Sequence, residues 1–353
     1  MNMKILTAMS GGVDSSVAAY LLQREGHEVI GGMMKLFTDD DFNSGEGDAR
    51  AIADSLGIPF YVFDVAEAFA AEVTERFVQA YLSGLTPNPC VDCNRFMKFG
   101  NFLSRASELE CEKIATGHYA RIEKSASGRF LLKKGADANK DQSYVLYTLT
   151  QEQLSHTVFP LGEMTKEEIR NIAETRGFAN ANKRDSQDIC FVPDGDYAGF
   201  IERHTNSRSQ KGNFISADGK ISGEHKGIIH YTIGQRKGLG LSAANPLFVT
   251  AINAAENTII VGASEELFSK NLFAHEINLI PFEKLNDSLR VNAKIRYAHV
   301  PQPATLRQTD IDRLHIEFDH PQRAITPGQS VVLYDGDIII GGGKITPVHA
   351  PAF

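Results

Sequence analysis

An apolar run from Ile5 to Met9 leads straight into Ser10-Gly11-Gly12-Val13-Asp14-Ser15-Ser16, and no other stretch constrains the fold as tightly. A short strand, a turn with paired glycines and a helix, in that order, are the opening of an α/β sheet. Glycine lets the backbone approach a ligand closely, and a helix start aims unpaired N–H groups and a positive dipole end at it. The segment is therefore a candidate anion cradle. It is not the usual triphosphate loop, because the G-x-x-x-x-G-K-[ST] spacing is absent and no lysine follows the glycines.

Alternation of strand-like and helix-like patterns continues for about two hundred residues. Strands are expected at Lys4–Met9, Glu28–Met34, Pro59–Asp64 and Lys113–Thr116, with helices at Ser15–Arg24, Asp48–Leu56, Ala66–Ser83, Phe96–Leu109 and Thr165–Arg176. Thr38–Gly47 reads as a polar loop, Ala120–Lys134 as a hairpin and Asp196–His204 as a short helix. Strands separated by such helices pair in parallel, which predicts an open parallel sheet with helices on both faces and ligands beyond the carboxyl ends of its strands.

Near His204–Gly212 the chain turns rich in Ser, Asn and Arg, and from Asn213 onward helix signals nearly vanish. Leu289, Val291, Ala293, Ile295 and Tyr297 alternate with Arg290, Asn292, Lys294 and Arg296, the pattern of a half-buried strand. Leu314, Ile316 and Phe318 repeat it, and Asp335-Gly336 marks a hairpin. The expected layout is a catalytic α/β domain over 1–204, a central domain over 205–273 and an antiparallel β-barrel over 274–353.

Composition narrows the class. Four cysteines in 353 residues are too few for a disulfide scaffold. No apolar run reaches the length of a membrane span, and a first strand at about Lys4 leaves no room for a leader, so a cytoplasmic location without membrane contact is expected. The net charge of −8 argues against a uniformly nucleic-acid-binding surface while leaving room for a local basic face.

Two cysteine neighbourhoods carry candidate chemistry: Thr86-Pro87-Asn88-Pro89-Cys90-Val91-Asp92-Cys93-Asn94 and Asp185-Ser186-Gln187-Asp188-Ile189-Cys190-Phe191. Both read as polar loops between helices. Cys90-x-x-Cys93 lacks a second cysteine pair to complete a zinc knuckle, and no metal site is expected among the cysteines. Cys111 reads as an inert core thiol. Gly117-His118-Tyr119 follows a strand at the ligand edge of the sheet, where a histidine is as often structural as functional. Asn139 to Tyr144 adds a polar segment. Tyr231 to Gly240 is a basic, glycine-rich loop suited to phosphate-backbone contact or to a plain surface turn.

The opening loop resembles the SGGxDS loop of ATP pyrophosphatases, enzymes that cleave ATP to AMP and pyrophosphate. Taken with Met34-Lys35-Leu36, Thr86–Gly100, Ala115–Ala120, Asn139–Tyr144, Asp185–Asp196 and His230–Gly240, the chain is similar to the tRNA-specific 2-thiouridylase family almost end to end. That resemblance implies an ATP-pyrophosphatase domain, a small central domain and a C-terminal barrel. It implies that Ala8, Met9, Ser10, Gly11, Gly12, Val13, Asp14 and Ser15 hold ATP, framed by Met34 and Gly117. It implies a nucleophile at Cys93 and a persulfide at Cys190, with Asp14 counted among the catalytic groups. Asn88, Pro89, Cys90, His118, Lys140, Asp141, Gln142, Arg296, Tyr297 and Gln329 match positions that contact the tRNA anticodon stem-loop.

Two departures stand out. Cys90 occupies a position where some members carry aspartate, and Phe37–Gly47 lacks the cysteine pair that many members place there.

The implied reaction adenylates the 2-oxygen of the wobble uridine, and sulfur from the Cys190 persulfide then displaces AMP. A Cys93–Cys190 disulfide remains for cellular reductant. Mg²⁺ is expected near Asp14, and a cysteine desulfurase or relay protein is the expected sulfur donor. Two alternatives keep the loop: an amide-forming ligase, which would not need Cys190, and a non-catalytic nucleotide- or RNA-binding protein, which would not turn ATP into AMP.

Overall fold

The computed structural model describes residues 2–38, 45–183 and 189–347. The chain forms two compact units, one of Met1–Thr74, Cys90–Gln187 and Gly336–Gly341, the other of Glu75–Pro89, Asp188–Asp335 and Gly342–Phe353.

In the first unit β1 (Lys4–Ala8) leads to α1 (Val13–Arg24), β2 (Glu28–Lys35), α2 (Glu46–Leu56), β3 (Phe60–Asp64), β4 (Lys113–Ala115), the hairpin β5 (Ala120–Lys124) and β6 (Phe130–Lys134), and β7 (Thr157–Val158). The sheet order is β3-β2-β1-β4-β7, every pair parallel. Ile5 and Leu6, adjacent on β1 and so on opposite faces, are both fully buried, which requires layers on both sides. Val13, Val17, Leu21, Ile52, Ile169 and Phe178 pack with Ile5 and Met9 into the core on one face. Crossovers leave β1 toward β2 on one side while β4 lies on the other, so the switch point falls between β1 and β4, beside the glycine loop.

The helix expected at Phe96–Leu109 begins earlier than the sequence suggests. Pro89–Asp92 is α-helical, Cys93–Asn101 continues as a π-helix and Phe102–Glu108 returns to α. Pro89 suits a first helical turn, where no N–H is needed. Cys90 and Cys93 are thus helical residues, which corrects their reading as loop residues. The helix at Lys166–Thr175 starts where a T-x-x-E capping box places it, with Thr165 Oγ1 accepting from Glu168 N and the Glu168 carboxylate accepting from Thr165 N.

The second unit contains a four-stranded sheet of β8 (Gly212–Ser216), β9 (Ile221–His225), β10 (Phe248–Asn253) and β11 (Thr258–Gly262), in the order β10-β11-β8-β9. Its core is Phe214, Tyr231, Leu239, Val249, Ile259 and Val261. The barrel strands are β12 (Phe268–Leu279), β13 (Leu289–Lys294), β14 (Gln302–Asp310), β15 (Arg313–Arg323), β16 (Ser330–Asp335) and β17 (Ile338–Ile345), ordered β12-β15-β14-β13-β16-β17 and closed by β12 with β17. Val291, Ala293, Leu314, Ile316 and Phe318 point inward, as their alternation predicts. Strand β13 stops at Lys294, however, and Tyr297 is 47% exposed in the following turn rather than on the inner face. Among the described residues no helix is long and apolar enough to cross a membrane.

Candidate active site

Gly12 is the N-cap of α1 and has no side chain to cap the first turn. The N–H groups that open a helix are thereby left for a ligand. Gly11 holds φ at +73°, a conformation that favours glycine, and a Cβ there would lie 2.3 Å from Gly45 O. Side chains brace the loop from below: Ser10 N donates to Ser15 Oγ at 3.2 Å, Ser15 Oγ and Ser16 Oγ donate to Gly12 O at 3.0 Å each, and buried Asn180 donates to Gly11 O and Ser16 Oγ at 3.1 and 2.9 Å. Gly117, just past β4, abuts the start of α1 so closely that a Cβ would sit 2.9 Å from backbone atoms of Asp14 and Ser15. Ala8 ends β1, Met9 and Val13 are buried, and Met34 is half-buried near the end of β2.

Asp14 lies in the first turn of α1, and its carboxylate accepts from Lys166 Nζ at 2.8 and 2.9 Å and from the Tyr119 hydroxyl at 2.8 Å. Lys166 is 7% exposed. Sequence reasoning missed both Lys166 and Asn180. The one sequence signal near Lys166 is the capping box that fixes its helix start.

The cysteines of the first neighbourhood lie in the helical run that precedes β4. Cys90 is exposed and Cys93 half-buried. Asn94 Nδ2 donates to Cys90 O at 2.9 Å. Burial pushes the Cys93 thiol up; the Lys98 charge opposes this, while Cys90 and Asp92 add to it. His118 is 6% exposed, its ring between Phe99 and Phe159, with Nδ1 2.6 Å from Thr116 Oγ1 and Nε2 3.4 Å from Lys98 Nζ. Burial first, and the Lys98 charge second, hold its pKa well below the usual imidazole range. A buried, engaged ring is not presented to an external ligand, so the structure gives His118 an interior place rather than a surface one. Asp141 accepts from Gly135 N, Ser143 N and Ser143 Oγ, and Gln142 exchanges hydrogen bonds with the Tyr119 backbone, so both shape the segment that carries half-buried Lys140.

The second unit holds the remaining candidates. Gln329 Nε2 donates to Thr86 O at 2.8 Å and to Pro87 O at 3.3 Å, tying down the chain just before half-buried Asn88 and buried Pro89. Cys190 is exposed, beside Phe191, whose ring is 7% exposed and packs edge-on to Phe77 at 5.2 Å. Asp185, Ser186, Gln187 and Asp188 lie outside the described residues. On the barrel, Arg290 forms a two-pronged pair with Asp319 at 2.9 and 2.7 Å, so its charge is already matched. Arg296 is exposed, with one hydrogen bond to Arg323 O at 3.4 Å, and Lys294 lies over the Tyr297 ring. Tyr231 is buried against Phe214, while Arg236 and Lys237 stand nearer the surface of that glycine-rich loop.

A family model described as the tRNA methyl transferase HUP domain matches residues 3–194, one described as the tRNA methyl transferase PRC-barrel domain matches 198–263, and one described as the aminomethyltransferase beta-barrel domain matches 269–345. The chain is 52% identical over 355 residues to the tRNA-specific 2-thiouridylase MnmA of Clostridioides difficile (strain 630), covering 98% of each. It is 49% identical over 353 residues to the protein of that name from Lachnoclostridium phytofermentans, covering 97% of this chain and 99% of the other. With that of Clostridium acetobutylicum the identity is 48% over 355 residues, covering 98% and 100%.

Proposed function

We infer the chemistry that follows from one premise: this chain belongs to the tRNA-specific 2-thiouridylase family. It is an ATP-dependent enzyme that transfers sulfur to a uridine of tRNA. The observation that carries the detailed reading is the uncapped start of α1 behind Gly11 and Gly12, a site built for the phosphates of a nucleotide.

The 2-oxygen of uracil is a poor leaving group, and transfer of AMP to it makes a good one. In our reading the backbone N–H groups near Gly12, Val13 and Asp14 bind ATP phosphates and stabilise charge as pyrophosphate departs. Ala8 to Ser15, Met34 and Gly117 line that pocket. Mg²⁺ commonly accompanies such phosphates. Asp14, whose two oxygens already face Lys166 and Tyr119, is a poor fit for it, and no step is assigned to the metal.

A persulfide on Cys190 then attacks C2 of the adenylated base, forming a carbon–sulfur bond as AMP leaves. The Cys93 thiolate attacks the Cys190 sulfur, the persulfide S–S bond breaks with its electron pair on the sulfur bound to C2, and 2-thiouridine is released. A Cys93–Cys190 disulfide remains, and a cellular dithiol reduces it to two thiols. Wobble uridine 34 is the target we assign, reached in an anticodon loop whose bases can be splayed out. Asn88, Pro89, Cys90, Lys140, Arg296 and Tyr297 are the residues we assign to tRNA contact, and a cysteine desulfurase or relay protein supplies the sulfur.

Incubation of the enzyme with ATP, a persulfide source and total tRNA should yield 2-thiouridine at position 34 by mass spectrometry. C93A and C190A should each stop thiolation while tRNA adenylation, followed as tRNA-dependent pyrophosphate release, continues. Thiolation that survives in either variant would remove that cysteine from the mechanism.

A further inference from the structure

Lys98 stands five residues after Cys93 in a π-helix, where the i→i+5 ladder stacks those two positions on one face. Its ammonium has three donors and no acceptor, so at 3.4 Å it donates to His118 Nε2. That fixes the proton of the ring on Nδ1, which donates to Thr116 Oγ1 at 2.6 Å. Thr116 is 2% exposed, and Phe99 and Phe159 lie at ring distances of 5.8 and 6.0 Å from His118. The chain Thr116–His118–Lys98 is thus anchored in the core and steadies the charged end of Lys98 on the helix that also carries Cys93.

We propose that Lys98, held by the neutral ring of His118, is the positioning residue that opposes the effect of burial at Cys93 and so favours its reactive thiolate form. This rests on the reading of Cys93 as the nucleophile. The charged and titratable groups acting on Cys93 are Lys98, Cys90 and Asp92; only the first favours the anion. Lys98 reaches Cys93 from its own helix, and His118, which follows β4, steers it from outside. A half-buried thiol between an acidic neighbour and a second thiol reacts slowly unless a cation faces it, because the thiolate is the reactive form. A neutral histidine is well matched to hold that cation. It accepts from the ammonium without adding a competing positive charge or pairing with it as an anion would. The same arrangement accounts for an interior histidine at a sheet edge that otherwise faces ligand.

The test uses full-length protein carrying C90S, C111S and C190S, in which Cys93 is the one remaining cysteine. The rate of iodoacetamide alkylation is followed by mass spectrometry from pH 6 to 10. K98M should raise the midpoint of that profile by about one pH unit, K98R should restore it, and H118F should raise it by less. A K98M midpoint equal to that of the parent, with unchanged thermal unfolding, overturns the proposal. Should K98M fail to fold, K98Q and H118F carry the same comparison, and unmoved midpoints in both overturn it equally. The nucleophile reading fails separately: C93S enzyme that still thiolates tRNA would remove that role from Cys93 while leaving the alkylation profiles to decide the influence of Lys98.

Discussion

The Lys166 ammonium sits 2.8 and 2.9 Å from the two carboxylate oxygens of Asp14, joining the helix Lys166–Thr175 to the first turn of α1. The lysine is buried and the aspartate partly open, so loss of either partner strands a charge in a poorly hydrated place. D14N and K166M should each lower unfolding stability by about 2–3 kcal/mol, and the double variant should lose clearly less than the sum. Urea unfolding of the four proteins checks this. Because the pair sets the pitch of the helix start that faces ATP, both single variants should also release AMP more slowly; full additivity in unfolding would deny the pair its structural role.

Space around the phosphate loop is equally restrictive. G117A places a methyl 2.9 Å from the Asp14 and Ser15 backbone, which has to shift while the rest of the sheet stays put. We expect kcat/KM for ATP to fall about 10–100-fold with near-normal thermal unfolding, since small displacements of a binding element are costly to catalysis. G26A, with open space around its glycine but φ at +88°, should cost some stability through backbone strain while leaving ATP turnover unchanged. Steady-state AMP formation on saturating tRNA distinguishes the two.

The depressed pKa of His118 has a signed consequence. A free imidazole titrates near 6.5, whereas the folded ring stays neutral to lower pH. The unfolded chain therefore gains the proton first as pH falls, and folding weakens from about pH 6.5 down to the folded value, by at most about 1.4 kcal/mol per pH unit for this one group. Above that window its contribution is constant. His225, His230, His299 and His315 are depressed in the same sense, so the informative quantity is the difference between wild type and H118F. Urea midpoints at pH 7.5 and 5.5 should diverge less in H118F.

Two arginines that look alike along the chain should behave differently toward tRNA. Arg290 is matched by Asp319, whereas Arg296 has a single bond to a carbonyl. R296A should weaken tRNA binding and reduce the slope of log K against log salt by about one, and R290A should leave that slope as it was. Filter binding from about 50 to 300 mM salt would show it, and equal slopes in wild type and R296A would exclude a phosphate contact there.

Much of the catalytic layer was legible because its signals are local. A strand, two glycines and a helix start are contiguous, and the parallel sheet follows from the alternation that continues after them. The β13 alternation located a barrel strand, yet could not tell that the chain turns at Ile295, because a solvent-facing Tyr297 fits the period as well as a buried one. The cysteine segment misled for a different reason. Pro87, Asn88 and Pro89 are loop formers, but Pro89 also opens a helix, and a π-helical register has no strong residue preference to announce it. Lys166, Asn180 and Lys98 act on residues that are sequence neighbours only in the last case, so their roles emerge from packing.

Gly45 ends the connection after β2 with its backbone in the volume that a methyl on Gly11 would claim, and a methyl on Gly45 would in turn strike Ser10 O. Two glycines more than thirty positions apart are therefore locked together by exclusion. A relative free to lengthen or redecorate that connection must still bring it back to an unadorned residue at this root, and a covariation of the two sites toward larger side chains is sterically closed.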